Sequence, residues 1–241
     1  MVHAHPEARS FCTSMHRLAR RCLQSAGHEV RVSDLYEMGF DPVAKATDFP
    51  TAQRADPAHL VYALEQRHAV QAGTLPPDIR GELDRLLWCD LLVLTFPLFW
   101  FSTPAILKGW IDRVLVSGTT YGGRRFYDRG GLAGRKAFVA LTLGGQEHMF
   151  DAAGIHGRLE DMLKPLLQGT LAYTGLQVLP PFAAYHVPYV SAPERAGMLR
   201  AFEARLTGLE ADRPLVFPSL DRFDAQMRPL ASGPPAPGAG A

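Results

Sequence analysis

Three separate segments of this 241-residue chain carry the residues best suited to bind a ligand. The first, residues 5–13, places a histidine and several hydroxyl groups at the start of a predicted helix. The free backbone N–H groups and the dipole of a helix start can receive an anion such as phosphate. The segment lacks both the P-loop pattern and the spaced glycines of a Rossmann dehydrogenase, so phosphate binding would depend on backbone groups and hydroxyls.

The second segment, residues 98–103, carries the three aromatic side chains of Phe99, Trp100 and Phe101. Two interpretations stay open: the rings pack over the end of a sheet, or they form a platform for a flat ring. The third segment, residues 143–150, begins with Gly144 and Gly145. Their backbone donors would let a ring system approach closely, although paired glycines after a strand are more often only a turn.

Alternating strand and helix patterns must position these segments. Apolar residues spaced by three and four predict a helix over residues 13–26, and residues 28–35 alternate like a strand. Only residues 1–4 precede the first segment, so the first strand is expected to be short, unless the natural gene product begins upstream. Further strands are predicted at residues 90–97, 136–142 and 176–179, further helices at 78–88, 104–115, 157–174 and 193–209, and a long loop at 37–58.

This order predicts an α/β fold, a doubly wound sheet of five parallel strands with helices on both faces. Ligands bind such sheets outside the carboxyl ends of the strands, which is where all three segments fall. We expect a single domain over residues 1–230 with a C-terminal extension from about residue 210. The Ala-, Gly- and Pro-rich tail at residues 231–241 is expected to be disordered.

Composition excludes several classes of function. Lys and Arg number 25 against 24 Asp and Glu, a net charge of +1 that does not suit a nucleic-acid partner. The sequence has no stretch of roughly 18 uncharged apolar residues, so no stable membrane insertion is predicted. The three cysteines lack metal-ligand spacing, which indicates a cytoplasmic protein with free thiols and no metal. Most of the following histidines are expected to be solvated: His3, His16, His28, His59, His68, His148 and His186. His148, near the predicted site, is the one candidate for an exception.

The run FPLFWFSTPAILKGW at residues 96–110 resembles the signature of the NAD(P)H:quinone oxidoreductase (DT-diaphorase) family. Gly144-Gly145 followed by GIHG at residues 154–157 resembles its second signature, and DLYEM at 34–38 and RPLVF at 213–217 are also similar. The likeness covers roughly residues 1–224. It implies a flavodoxin-like homodimer with active sites at the interface. It also implies a flavin, FAD or else FMN, through whose N5 a hydride passes from NAD(P)H to a small-molecule quinone in a ping-pong reaction.

The resemblance also implies roles for individual residues. The flavin phosphates would lie against His5, Ser10, Phe11 and Cys12, and Arg195 would lie near the distal end of FAD. The flavin ring would contact Leu98, Phe99, Trp100, Phe101, Thr142, Leu143, Gly144 and Gly145. The catalytic positions would be His156, Phe150, Gly144 and Gly145. The nicotinamide and quinone would be bound by Trp100 and His156, with Tyr121 and Phe126 contributed by the partner subunit.

Three residues depart from the family pattern. Cys12 replaces an asparagine and Val61 a glutamine of the animal members, so the resemblance implies no side-chain contact to the cofactor at these two positions. Phe150 replaces a tyrosine that acts with the histidine matched by His156. Negative charge that develops at flavin N1 and O2 would then be stabilised by His156 and the N–H groups of Gly144 and Gly145. Activity is expected to survive at a lower rate.

Two other classes of function share this likeness. The FMN-binding ancillary proteins of bacterial potassium-efflux transporters have the same fold, and LPPFA at residues 179–183 is closer to theirs. The longer insert around residues 37–75 and the C-terminal extension favour the quinone reductases instead. A one-electron flavodoxin carrier fits poorly because such carriers are usually strongly acidic.

Overall fold

The computed structural model describes residues 1–230, so the predicted disordered tail at residues 231–241 lies outside the described part. Six parallel strands form one sheet: β1 (Val2–His3), β2 (Ser33–Asp34), β3 (Leu91–Pro97), β4 (Lys136–Thr142), β5 (Gln177–Val178) and β6 (Phe182–Ala184). Seven helices accompany them: α1 (Phe11–Ser25), α2 (Tyr62–Ala72), α3 (Pro77–Trp88), α4 (Ala105–Val114), α5 (Leu159–Met162), α6 (Lys164–Leu166) and α7 (Ala192–Thr207). The strand order β2-β1-β3-β4-β5 confirms the flavodoxin-like doubly wound sheet.

The two central strands explain why the sheet is buried. In both β3 and β4 every residue after the first is buried, because helices cover both faces. One face packs against α1 and α7 around Met15, Val93 and Phe202. The opposite face packs against α3 and α4, with Ile79 and Trp110 in its core.

The outer strands are shorter than the sequence pattern indicates. The predicted strand over residues 28–35 is wrong in length, since only Ser33 and Asp34 pair, and they pair with Val2 and His3. A strand needs a neighbour for its ladder, and β1 begins at Val2. Beside residues 28–31 a cavity lined by Met1, Trp88 and Leu91 lies at the amino ends of the strands, away from the predicted site. On the other edge, β5 and β6 both pair with β4, because two prolines interrupt what would be one strand.

Two helical regions also differ from expectation. The predicted helix over residues 157–174 is broken into α5, α6 and a π-helical turn at Leu167–Ala172, because Pro165 has no N–H to continue the ladder. Helix α2 was not predicted. Its buried face carries the polar Glu65 and Gln66, so it shows no apolar periodicity.

Two of the histidines expected to be solvated are buried, and that interpretation is wrong for them. His3 on β1 is 0% exposed and His16 on α1 is 5% exposed. Their rings stack with centroids 4.4 Å apart. Within residues 1–230, no helix is long and apolar enough to cross a membrane, and no group of three metal-binding side chains forms.

Candidate active site

The three predicted segments meet at the carboxyl ends of β1, β3 and β4. The Leu98 N–H donates to the Thr142 carbonyl at 2.8 Å, which ties the aromatic segment to the end of β4. The Cys12 thiol at the start of α1 contacts the Thr142 side chain. The ring of Phe101 lies 5.1 Å from the ring of His156, centroid to centroid. One end of the sheet therefore gathers the anion segment, the aromatic segment and the glycine segment.

The anion segment is held by its own hydrogen bonds. Ser10 caps α1, and its Oγ accepts from the Thr13 N–H at 3.0 Å. His5 Nδ1 accepts from the Glu7 N–H at 3.0 Å, which leaves the ring proton on Nε2. Burial lowers the pKa of His5, so the ring is neutral near pH 7. Within residues 1–230 the backbone N–H groups of Phe11 and Cys12 have no acceptor and face outward at the helix start.

The Cys12 thiol is not available to a ligand. The side chain is 2% exposed, and burial raises the pKa of the thiol to about 12. The sulfur is therefore neutral and inward-facing.

The aromatic segment forms a tight turn in an unfavourable conformation. Phe99 and Ser102 exchange two backbone hydrogen bonds of 3.0 and 2.9 Å around the two central residues. Trp100 and Phe101 have φ angles of +50° and +59°, as in a type I′ turn, where Asn and Gly are usual. Bulky residues at positive φ cost of the order of 1–3 kcal/mol each. Trp100 is also 95% exposed, so neither packing nor propensity within this chain explains its conformation.

The glycine segment offers two free donors. Within the described residues the N–H groups of Gly144 and Gly145 have no acceptor. Their carbonyls are held by His186, whose N–H donates to Gly145 at 2.8 Å and whose Nδ1–H donates to Gly144 at 2.9 Å. A Cβ on Gly145 would lie 2.7 Å from the Phe150 ring, so only glycine fits. Leu143 is 6% exposed, its N–H donates to the Ala184 carbonyl and its carbonyl accepts from the Val187 N–H, so its predicted cofactor contact stays a prediction.

Two of the predicted catalytic residues, His156 and Phe150, form a row of aromatic rings with Phe101. The His156 ring lies between Phe101 and Phe150, with its centroid 5.1 Å from each. Phe150 is 7% exposed, so its ring belongs to the core, whereas His156 is exposed. Tyr185 continues the row, 5.8 Å from Phe150.

The donor set fits a flavin nucleotide. Free N–H groups at a helix start suit a phosphate, and a pair of glycine N–H groups with a flat aromatic turn suits a ring that gains negative charge on reduction. The row of Phe101, His156, Phe150 and Tyr185 is mainly aromatic, which is also typical of a site for flat apolar molecules.

Comparison with known proteins decides the family. The model of the flavodoxin-like fold family matches residues 1–206. NAD(P)H dehydrogenase (quinone) 1 of Cavia porcellus is 38% identical over 228 residues, which cover 95% of this chain and 82% of the relative. A crystal structure of a proposed quinone reductase from Klebsiella pneumoniae superposes with a TM-score of 0.84 at 36% identity, covering 94% of this chain and 88% of that one. The chain belongs to the NAD(P)H:quinone oxidoreductase family. It is therefore an oxidoreductase.

A relative of the ancillary type matches a smaller part. The glutathione-regulated potassium-efflux system ancillary protein KefF of Enterobacter sp. is 43% identical over 108 residues, which are 45% of this chain and 58% of that protein.

The substrate residues expected from the partner subunit of a family dimer stand apart from the row. Tyr121 and Phe126 pack on Tyr173, with centroids 5.9 and 5.5 Å away. Within residues 1–230 no ring contact joins this group to Phe101, Phe150 or His156. A single subunit thus does not bring all the predicted substrate residues together.

Arg195 lies beside the glycine segment. Its guanidinium donates to the carbonyls of Val190 at 2.7 Å and Val187 at 3.4 Å, and so holds the loop that covers Gly144. Its predicted contact with the distal end of FAD stays a prediction. Three residues near Phe150 and Gly144 were not predicted from the sequence: Tyr185, His186 and Tyr189. The only sequence signal for them is their position directly after β6, whose carboxyl end faces the same site.

Proposed function

We propose that this protein is an FAD-dependent NAD(P)H:quinone reductase that works as a homodimer. The observation that carries the proposal is the meeting of the strained Trp100–Phe101 turn with the free N–H groups of Gly144 and Gly145 beside His156. Bound flavin would supply the redox chemistry by accepting two electrons from reduced nicotinamide and delivering them to the quinone. The protein's residues then have to bind, orient and stabilise charge.

Binding begins at the start of α1. The outward N–H groups of Phe11 and Cys12, together with His5 Nε2–H, would donate to the flavin phosphates. Trp100 and Phe101 would lie against the flavin ring, which would offset the cost of their backbone conformation. Arg195 would approach the adenosine half of FAD by way of the Val187–Val190 loop that it holds.

Charge stabilisation would come from the glycine segment and His156. The N–H groups of Gly144 and Gly145 would donate to the edge of the ring that becomes negative on reduction, and His156 would face the open side of the site. Because Phe150 has no hydroxyl, one donor of the family arrangement is missing. The rate of electron transfer from NAD(P)H should therefore be lower than in a member that has tyrosine there.

The first experiment identifies the cofactor and tests turnover together. Flavin released by heating the purified protein is separated by chromatography and identified by mass spectrometry. Steady-state rates are then measured with NADH or NADPH as the donor and a quinone as the acceptor. FAD together with parallel double-reciprocal lines would support the proposal. A chain that retains no flavin after soaking in both FAD and FMN would contradict it.

The second candidate is an FMN-binding ancillary subunit of a potassium-efflux transporter. Its support is the 43% identity to KefF, which is confined to 108 residues. Release of FMN alone, with capture of a transporter from membranes by the tagged protein, would favour this function. Release of FAD would speak against it.

A further inference from the structure

A buried polar network lies directly beneath the proposed phosphate-binding segment, and the proposed function does not use it. His3 Nδ1 is 2.8 Å and His16 Nδ1 is 3.0 Å from the hydroxyl of Thr95 on β3. His3 Nε2 is 3.1 Å from the hydroxyl of Thr13 in the first turn of α1. Thr95 is 0% exposed and Thr13 is 4% exposed, so water does not reach this chain of groups.

The hydroxyl protons give the network a single direction. Thr13 Oγ1 donates to the Glu7 carbonyl at 3.0 Å, so it must accept from His3 Nε2–H. His3 Nδ1 then has no proton and accepts from the Thr95 hydroxyl, at a much shorter distance than the competing Val2 carbonyl at 3.5 Å. Thr95 in turn accepts from His16 Nδ1–H. Every buried donor has an acceptor when both histidines are neutral.

The surroundings keep both rings neutral. Burial lowers the pKa of His3 and of His16. The cations that face them are Arg17 and Arg20 of α1 and the amino group of Met1, all of which oppose a further positive charge. His5 also lowers the pKa of His3, whereas Asp34 of β2 and a hydrogen bond with the Thr95 backbone act in the opposite direction and are outweighed by burial.

The network ends on the atoms that shape the phosphate-binding segment. The Glu7 carbonyl, which receives the Thr13 hydroxyl, also receives the Ser10 N–H at 3.1 Å. The Ser10 hydroxyl lies 2.9 Å from Thr13 Oγ1 and caps the helix. The turn of residues 7–10 is thus held from below by Thr13, and Thr13 by His3. This turn determines the direction of the Phe11 and Cys12 N–H groups.

We infer that His3, Thr95 and Thr13 are positioning residues that hold the phosphate-binding turn in its ligand-ready conformation, and that they set the preference for phosphorylated flavins over riboflavin. The inference rests on the proposed flavin site and adds to it residues that touch no cofactor. A preorganised site binds more tightly because less ordering remains to be done on binding. Loss of one hydrogen bond in the network should therefore weaken binding through the phosphate and leave binding through the ring unchanged.

The test compares FAD, FMN and riboflavin on the full chain after its flavin has been removed, with dissociation constants from the change in flavin fluorescence. Thr13→Val keeps the shape of the side chain and removes the hydroxyl. It should weaken FAD and FMN binding about tenfold and change riboflavin binding less than about twofold. Thr13→Ser keeps the hydroxyl and should restore the wild-type preference. Thr174→Val is the matched control, because Thr174 is 2% exposed and its hydroxyl donates to the Leu171 carbonyl in another part of the fold.

Thr95→Val guards against failure of the first variant to fold. It breaks the network at a distance from the turn, and its effect should have the same sign as that of Thr13→Val and be smaller. If either folded valine variant keeps the full wild-type preference for phosphorylated flavins, this inference is overturned, and the proposed function is unaffected. If the wild-type chain binds none of the three flavins, the proposed function fails and the inference fails with it. Equal losses for riboflavin and for FAD would show a general structural role, which also contradicts the inference.

Discussion

At the scale of single residues, Phe150 is the position where chemistry and packing are most closely linked. Its ring is 7% exposed and lies 5.1 Å from His156. Phe150→Tyr adds a donor beside His156 where negative charge would develop, so kcat for NAD(P)H oxidation should rise about two- to tenfold with little change in KM. Stopped-flow measurement of flavin reduction checks this directly. His156→Gln, made alone and together with Phe150→Tyr, is the control, since the gain should vanish without His156.

The buried His16 predicts the response of stability to acid. Burial lowers the pKa of His16 from 6.5 to about 3 in the folded state, and nearby His3, Arg20 and Arg17 act in the same direction. The unfolded chain takes up a proton at higher pH than the folded chain does, so stability is complete above 6.5 and is lost as pH falls from there towards 3. The loss from this one group reaches about 2 kcal/mol near pH 5.

The comparison that isolates His16 uses a side chain that keeps its donor. His16→Asn retains an N–H for Thr95 and cannot titrate, so the free energy of unfolding from urea denaturation should depend less on pH between 5 and 7. His59→Asn changes a histidine that is mostly exposed. It should leave the wild-type slope in place, and an equal slope in all three proteins would refute the assignment to His16.

At the scale of elements, the turn at residues 99–102 has a backbone conformation that lowers stability and that the proposed flavin contact would explain. Trp100 is 95% exposed at a φ of +50°, so Trp100→Asn gives up little packing and accepts this conformation more easily. The flavin-free protein should gain about 1 kcal/mol, which corresponds to roughly 2–4 °C in Tm. Affinity for flavin should fall.

Phe99 provides the matched control for that turn. It is 45% exposed and does not have a positive φ angle. Phe99→Asn should therefore bring no gain in Tm. A Trp100→Asn protein that is no more stable than wild type would show that the turn stores no strain.

The elements also show which parts of this fold can be read from sequence. Strands β3 and β4 were predictable because both faces are apolar, and the three ligand segments could be placed at their carboxyl ends for the same reason. Helix α2 was not predictable, because the carboxylate of its buried Glu65 accepts hydrogen bonds from the N–H groups of Ala55 and Asp56. Buried polar groups that find partners far along the chain produce no local periodicity. The same cause hid His3 and His16, whose partner Thr95 lies 92 and 79 residues away.

The site shows a similar division. The motifs identified Phe101, Gly144, Gly145, Phe150 and His156, which the structure brings to one end of the sheet. They gave no indication of the left-handed conformation of Trp100, because no local pattern requires it. His186 was missed because its contact with Gly144 joins residues 42 positions apart. Contacts of this kind follow from the order of the strands rather than from any segment alone.

At the scale of the whole molecule, two aromatic groups without a ring contact between them in residues 1–230 are the observation that favours the proposed shared active sites. Tyr121 and Phe126 pack with Tyr173, while Phe101 and Phe150 pack with His156. If the proposed homodimer places Tyr121 and Phe126 of one subunit over His156 of the other, each site needs both chains. Two variants that are each defective in one half of the site should then complement each other.

Complementation gives a quantitative prediction. Phe126→Ala and His156→Gln are each expected to lower kcat/KM for the quinone by about tenfold or more. When the two variants are produced together and assort at random, half of the dimers carry one of each, and each mixed dimer has one intact site. Activity should then recover to about a quarter of the wild-type value. If both residues served the site of their own subunit, the mixed dimers would contain no intact site, and activity would stay at the mean of the two separate variants.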